Sequence, residues 1–355
     1  MNFDPSHYVP VLKVKRAEKS ALKKIEPSLR AKIIPLLEIV ERNPDKAPTI
    51  DRHLDTAFKD LAPSISSYRR CLLDARELEP DGPSAAEDVF GRAARAGIKF
   101  TPVTGISRTV DVAAALKHRT TGIAVRLTRE EFEGGSLAKN LRAFMARHNL
   151  GHAEVDLIVD LGAVDDLVQD GVTALASSFL ADVPDHARWR TLTVSACSFP
   201  MSMGGVERNS HTRVERCEWK VWRDVLHANR QRMERLPTFS DCAIQHSKGV
   251  EDFDPRTMQV SAAVRYTLAE EWLLIKGEST RATPPSEQFP ELATQLIYEQ
   301  FRHDFVGTGH CTGCALMKAS ANGADGLGSL EAWRRLGTIH HVTTVVEALA
   351  ELPWP

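Results

Sequence analysis

The chain has 355 residues, 45 basic against 47 acidic, with a formal net charge of −2 and 43% hydrophobic residues. That balance excludes a bulk electrostatic pull toward nucleic acid or an anionic membrane, although a local basic groove stays open. No stretch approaches the roughly 18 uninterrupted apolar residues that suggest a membrane span.

The N-terminus, MNFDPSHYVPVLKVKR, lacks the apolar core of a signal peptide, so a cytoplasmic location is expected. Six cysteines are ordinary usage, and Cys71, Cys197 and Cys242 fall inside apolar runs, where they read as small buried hydrophobes.

Eight short apolar runs recur along the chain: 8–15, 32–40, 69–77, 99–106, 122–128, 154–164, 190–200 and 238–247. Most are nearly continuous rather than alternating, as in parallel strands covered on both faces. Helical patterns separate them, among them RAEKSALKKIEPSLRAK, SAAEDVFGRAARAG and SLAKNLRAFMARHN. Eight strand–helix units predict a (β/α)₈ TIM-barrel-like α/β fold, a single domain over 1–355; a doubly wound open sheet is the alternative.

Three stretches break the repeat. Residues 201–236 predict a flexible MSMGGVERNSH followed by a long helix, RVERCEWKVWRDVLHANRQRMERL. Residues 259–279 predict a β-hairpin near the barrel mouth, and a helix follows over 289–305. Residues 306–341 predict a long loop that closes over the mouth or, alternatively, pins the final helix to the bottom of the barrel, with the last helix beginning near His340 and His341. Trp219 and Trp222 share a helix face; it either packs on the barrel or forms a lid or stacking platform.

Function in such barrels gathers at the C-terminal strand ends. Period-2 geometry puts Lys13 and Lys15 on one face, and likewise Asp74 and Arg76, and Asp156 and Asp160. The expected catalytic set is Lys15, Glu38, Asp74, Arg126 and Asp160, with heads in one cavity and Lys13 and Arg76 among the substrate contacts. The other reading is interior pairing that merely neutralises charge. Glu38, Asp74 and Asp160 offer the hard oxygen ligands of a divalent metal such as magnesium. Lys15 could be an acid/base, an imine-forming amine or a phosphate contact. No Walker A, GxGxxG, HExxH or GxSxG pattern is present.

His310-Cys311-Thr312-Gly313-Cys314, with His340 and His341, has the inventory of a zinc site. The gap to His340 exceeds a compact finger, and adjacent histidines rarely ligate one ion together. The expectation is therefore packing beneath the final helix, without zinc.

The opening YVPVLKVKRAE, the run IIPLLEIV, the hairpin VRYTLAEEWLLIKG and the ending AWRRLGTIHHVTTVV together resemble the bacterial and phage "beta family" proteins. The resemblance runs from Tyr8 to about Val346. It covers Pro10, Lys13, Lys15, Glu18, Pro35, Glu38, Asp74, Arg265, Tyr266, Trp272, Lys276, Trp333, His340 and His341, and fits Cys311 better than Cys314. It implies a setting in mobile elements, phage conflict and antiviral defence, and no particular chemistry. Arg265, Tyr266, Trp272, Lys276, His340 and His341 complete the expected substrate-binding set, with a histidine near the carboxylates as proton shuttle.

Two function classes follow. One is a hydrolase or lyase acting on a phosphorylated, nucleotide or nucleic-acid substrate. The other is a non-catalytic sensor or scaffold that binds a phage or host protein. An open mouth with unpaired polar groups would favour the first; charges paired one to one in a plugged mouth would favour the second.

Overall fold

The structure, a computed structural model, describes residues 3–248 and 260–354. Eight parallel strands close into a barrel: β1 (Tyr8–Lys13), β2 (Leu36–Glu38), β3 (Cys71–Asp74), β4 (Phe100–Thr104), β5 (Ile123–Leu127), β6 (Val155–Ala163), β7 (Thr191–Cys197) and, after an excursion through β8 (Ser210–Glu215), β9 (Thr238–Asp241). β9 pairs in parallel with both β7 and β1 and so closes the ring. Each strand lies within one of the eight apolar runs, and the open-sheet alternative falls because this sheet has no edges.

Alternate residues divide between two packed layers. Val9, Val11, Leu36, Leu72, Val103, Ala124 and Ile158 fill the lumen. Tyr8, Leu12, Leu37, Leu73, Val125, Leu157, Val159 and Phe239 face the surrounding helices. Burial on both sides explains the nearly continuous apolar character of the runs.

A second, three-stranded antiparallel sheet packs beside the barrel, in the order β10 (Ser261–Thr267), β11 (Glu271–Ser279), β8. The predicted hairpin is β10–β11, and residue 259 lies outside the described residues. Trp272 and Leu274 from β11 join Phe199 and Ile244, which follow β7 and β9, so the sheet leans on the C-terminal end of the barrel.

Three predictions need correction. Within 201–236, Ser210–Glu215 is a strand rather than helix: its alternating exposure suits an edge strand, and six register partners on β11 outweigh local helix propensity. The helix starts at Cys217 and continues as a π-helical stretch, Val221–His227. Trp219 and Trp222 are 2% and 1% exposed and pack on Phe239, so they anchor the insertion to the barrel and are no lid. The helix expected over 289–305 spans Pro285–Ile297, with proline at its first turn.

The largest correction concerns 306–341, which is no loop. It holds the helix Thr312–Ala321 and the start of a 22-residue helix, Leu330–Glu351, capped by Ser329. His340 and His341 therefore lie in mid-helix. Ala332, Trp333, Leu336 and Ile339 of this helix join a second core with Tyr266, Leu273 and Phe289. Val342, Val345, Val346 and Leu349 join the core around the barrel. Because the helix is buried nearly all round, its amphipathic signal is weak and its first half is hard to see in sequence. No helix among the described residues is long and apolar enough to cross a membrane.

Candidate active site at the barrel mouth

Strand register builds the floor. Lys13 pairs with Glu38 across β1–β2, and Glu38 with Asp74 across β2–β3, so three charged side chains stand in a row at one level of the lumen. Arg126 reaches in from β5 and Asp160 from β6.

The Arg126 guanidinium is the hub. Its Nη1 donates to Glu38 Oε1 at 2.5 Å and to Asp74 Oδ2 at 3.0 Å, and its Nε donates to Asp160 Oδ2 at 2.8 Å. Lys13 Nζ lies 2.6 Å from Glu38 Oε2, and Arg108 Nη1 lies 2.8 Å from Asp74 Oδ1. Backbone N–H groups add to this: Arg76 N donates to Asp74 and Gly162 N to Asp160. All five principal groups are buried, with Asp74 fully so.

Burial by itself would raise the Glu38 carboxyl pKa, but Lys13 and Arg126 outweigh it and bring it down to about 2. Burial of Asp74 is likewise overcome by Arg108 and Arg126, which hold it below the usual carboxylate range. Burial works against the Arg126 and Lys13 cations, yet their carboxylate partners push both pKa values up. The floor is thus an ionised, internally neutralised set. Lys13 is a protonated ammonium rather than a nucleophilic amine. The magnesium expectation does not fit, since the three carboxylates converge on Arg126, which fills the place a shared cation would take.

Above the floor opens a cavity of ≈ 570 Å³, lined by Glu38, Arg126 and Asp160 below and by Arg76, Glu77, Thr128, Arg129, Glu130, Asp165, Asp166, Met201, His246 and Lys248 around the rim. Arg76 Nη1 makes a loose pair with Asp160 at 3.9 Å. Arg129 donates to the carbonyls of Leu161 and Ala163. Among the described residues, neither Arg129 nor Lys248 has a carboxylate within ion-pair distance.

The structure brings together four of the five residues expected to be catalytic: Glu38, Asp74, Arg126 and Asp160. Lys15 does not join them. β1 ends at Lys13, and Lys15 N bonds back to Lys13 O at 2.7 Å, a tight turn that breaks the period of two before the side chain of Lys15 can follow Lys13 inward. Lys15 instead precedes the helix Arg16–Lys24; burial and Arg334 lower its pKa, partly offset by Glu18.

Of the expected substrate contacts, Arg76 lines the cavity and Lys13 braces its floor. The others do not line it. Arg265 donates to Ile244 O and lies over the Phe199 ring, and its burial brings the guanidinium down to about 9. Tyr266 stacks on His340 in the second core. Trp272 is 1% exposed. Lys276 ties down the carbonyls of Met203 and Val206. His341 Nε2 meets Asp241 Oδ2 at 3.1 Å and Tyr8 Oη at 3.1 Å, and Thr267 Oγ1 meets its Nδ1. Asp241 and Tyr8 point outward from the barrel wall, so the His341 network is on the far side from Glu38 and Asp74. His340 Nε2 donates to the Thr267 carbonyl, also outside the lumen. Neither histidine is the expected shuttle at the carboxylates.

Sequence reasoning missed Arg108, Asp111 and His246. Arg108 and Asp111 sit in the loop after β4; burial raises Asp111 to about 6 against the pull of Arg108 and Thr104. His246 follows β9, with Nδ1 accepting from Lys248 N and Nε2 3.5 Å from Asp165 Oδ1. The polar ending of the eighth run, Gln245-His246-Ser247, was the signal available for His246; Arg108 and Asp111 lie beyond the fourth run, which ends at Ile106.

A sequence model of the family described as Beta protein matches residues 8–347. No curated protein matches the chain. Among solved structures, a mandelate racemase/muconate lactonizing protein from Herpetosiphon aurantiacus aligns with a TM-score of 0.34 and 11% identity, over 79% of this chain and 63% of that one. The chain thus spans under two thirds of that protein, and a likeness of this size carries no argument about chemistry.

Proposed function

The chain belongs to the Beta protein family, and from the geometry of its barrel mouth we propose that it is a hydrolase or lyase for a phosphorylated or nucleotide-like small molecule. One observation carries this reading. Among the described residues, Arg129 and Lys248 stand at an open cavity with no carboxylate within ion-pair distance, and Arg76 holds Glu77 and Asp160 only loosely at 3.9 Å, above a floor that is already neutral. An anionic group entering the cavity meets rim cations that have little to give up, while the floor below holds its shape. His246, backed by Asp165, is the group placed to carry a proton. The floor carboxylates orient Arg126, and Arg126 in turn presents the polar base of the cavity. A role in phage conflict belongs to this proposal, with a phage- or host-derived nucleotide as the substrate class.

The paired floor also favours a second reading, a binding scaffold, because Lys13–Glu38, Arg108–Asp74 and Arg126–Asp160 satisfy one another without a ligand. A thermal-shift screen of nucleotides, sugar phosphates and divalent ions separates the two. A bound compound at 100 times its dissociation constant adds about 2.7 kcal/mol of stability. The enzyme reading expects a phosphorylated hit whose shift disappears in Arg129→Ala and whose turnover, followed by phosphorus NMR, stops in His246→Gln. Binding without turnover supports the scaffold, and the absence of any phosphorylated hit rejects the proposed substrate class.

A further inference from the structure

We propose that His310, Cys311, Cys314 and His340 bind one zinc ion in the core beside the barrel. One donor atom from each of His310, Cys311 and His340 lies within 4.8 Å of the other two. Cys314 Sγ completes the set, 3.3 Å from His340 Nδ1. Tetrahedral zinc, with bonds of about 2.3 Å to sulfur and about 2.0 Å to nitrogen, places neighbouring donors about 3.5 Å apart. The proposed site requires the four donors to draw in to that spacing.

The backbone is shaped for this convergence. Cys311 is the N-cap of the helix Thr312–Ala321, and its Sγ accepts from Cys314 N at 3.3 Å. The Cys-Thr-Gly-Cys spacing therefore turns both sulfurs to one side of a single helical turn. Gly313 lets that turn touch the C-terminal helix: a Cβ there would come within 2.6 Å of Leu336 O and 3.3 Å of Cys311 Sγ. Contact at this range is what carries His340 to the sulfurs.

The outer partners match those of metal-bound imidazoles, which use the second nitrogen to bond a carbonyl or carboxylate. His340 Nε2 is 2.8 Å from Thr267 O, leaving Nδ1 facing Cys314. His310 Nδ1 is 3.0 Å from Glu347 Oε2, leaving Nε2 for the ion in exchange for its contact with Thr344 Oγ1. Zinc uptake displaces the two thiol protons to solvent. Two thiolates and two imidazoles suit zinc over magnesium or calcium, which prefer oxygen.

A CxxC at a helix start also suits a dithiol–disulfide couple. Exchange with a partner needs an accessible sulfur, and Cys311 is 5% exposed and Cys314 0%. Burial beside two histidines favours the ion. Spacing in sequence pointed away from zinc because of the long gap from Cys314 to His340 and the adjacency of His340 and His341; in the structure the second histidine beside the cysteines is His310, and His341 belongs to the Asp241 network instead.

The test uses the full chain, purified without chelator and supplied with one equivalent of zinc. Elemental analysis is expected to find about one zinc per chain, and cobalt substitution to give the visible bands of a tetrahedral site with thiolate charge transfer. Cys311→Ser and Cys314→Ser should each lose the thiolate charge transfer in part. Glu347→Gln, at the surface, should stay folded and weaken zinc by about 10- to 100-fold. Folded wild-type protein with less than a tenth of an equivalent of zinc and no cobalt spectrum overturns the site, as does a Cys311–Cys314 disulfide in that metal-free protein. Undiminished zinc in the double serine variant overturns it equally.

Discussion

The two ends of the barrel lumen use the same chemistry to different effect. At the N-terminal end, Asp156 of β6 accepts from Arg190 Nε at 2.8 Å, Arg190 Nη2 at 2.7 Å, Arg70 Nη1 at 2.6 Å and Thr191 Oγ1 at 2.8 Å. Arg190 is pressed against Gly122, where a Cβ would meet the guanidinium at 2.0 Å. At the C-terminal end, Asp160 of the same strand shares Arg126 with Glu38 and Asp74. Both ends are buried and balanced. What separates them is access: the upper cluster forms the floor of an open cavity, whereas Asp156 is fully enclosed by its partners. Pairing of buried charge therefore does not distinguish a site from a brace; the opening above it does.

Breaking the upper hub is the harshest way to probe this contrast. Arg126→Met leaves three carboxylates facing one another and should cost about 3–5 kcal/mol, the range for orphaning buried charge, read from the urea midpoint. A loss below about 1 kcal/mol would contradict the hub assignment.

Asp156→Asn should be the next most costly, at about 2–4 kcal/mol, while leaving ligand binding at the mouth unchanged at temperatures where the variant is folded. Loss of binding in that variant would erase the distinction between the two ends. His341→Gln should cost about 1–3 kcal/mol by disturbing the buried bonds to Asp241, Tyr8 and Thr267, again with mouth binding retained. Full stability with binding abolished would instead return His341 to the site.

Acid titration sharpens the comparison further. Burial raises the Glu38 carboxyl, but Lys13 and Arg126 bring it from 4.5 to about 2. The unfolded chain takes up this proton first, so the stabilisation is fully present above about pH 4.5 and is lost as the pH falls toward 2. Asp156 is depressed too, against its burial, by Arg190 and Arg70, and loses stability in the same direction. Glu38→Gln should flatten part of the stability decline across that window; equal slopes in variant and wild type would refute the Glu38 contribution.

The smallest effect on stability belongs to Arg76→Ala. Its side chain is 34% exposed and its carboxylate partners stand 3.9 Å away. The change should stay within about 0.5 kcal/mol, yet the thermal shift from a phosphorylated ligand should fall. A ligand shift as large as that of wild type would remove Arg76 from the rim contacts.

Much of the site was legible because polar residues stood out at the ends of apolar runs. Glu38, Asp74, Arg126 and Asp160 each end or nearly end a strand, and a period of two turns them inward together. Lys15 was misread because that period was carried past the end of β1, where a turn intervenes. Arg108 and His246 were missed because they lie in loops, whose side-chain directions follow no period. His340 and His341 were misplaced for another reason: a helix buried on nearly all sides carries little periodic contrast, so its start was read ten residues late.

The sequence by itself determined the alternation of eight doubly buried strands with helices, and with it a parallel sheet whose strand ends carry charge; its closure was the favoured reading beside an open sheet. These are local properties, written into a few consecutive residues at a time. Only the tertiary structure decided which charges meet. Arg126 and Glu38 are 88 residues apart, and Asp241 and His341 100 apart. Their meeting depends on strand register, on barrel closure and on where one long helix lies across two cores. The same is true of His310, Cys311 and His340, which gather because Gly313 allows two helices to touch. No periodicity encodes such contacts, since they arise when distant segments pack and their side chains compete for the same space.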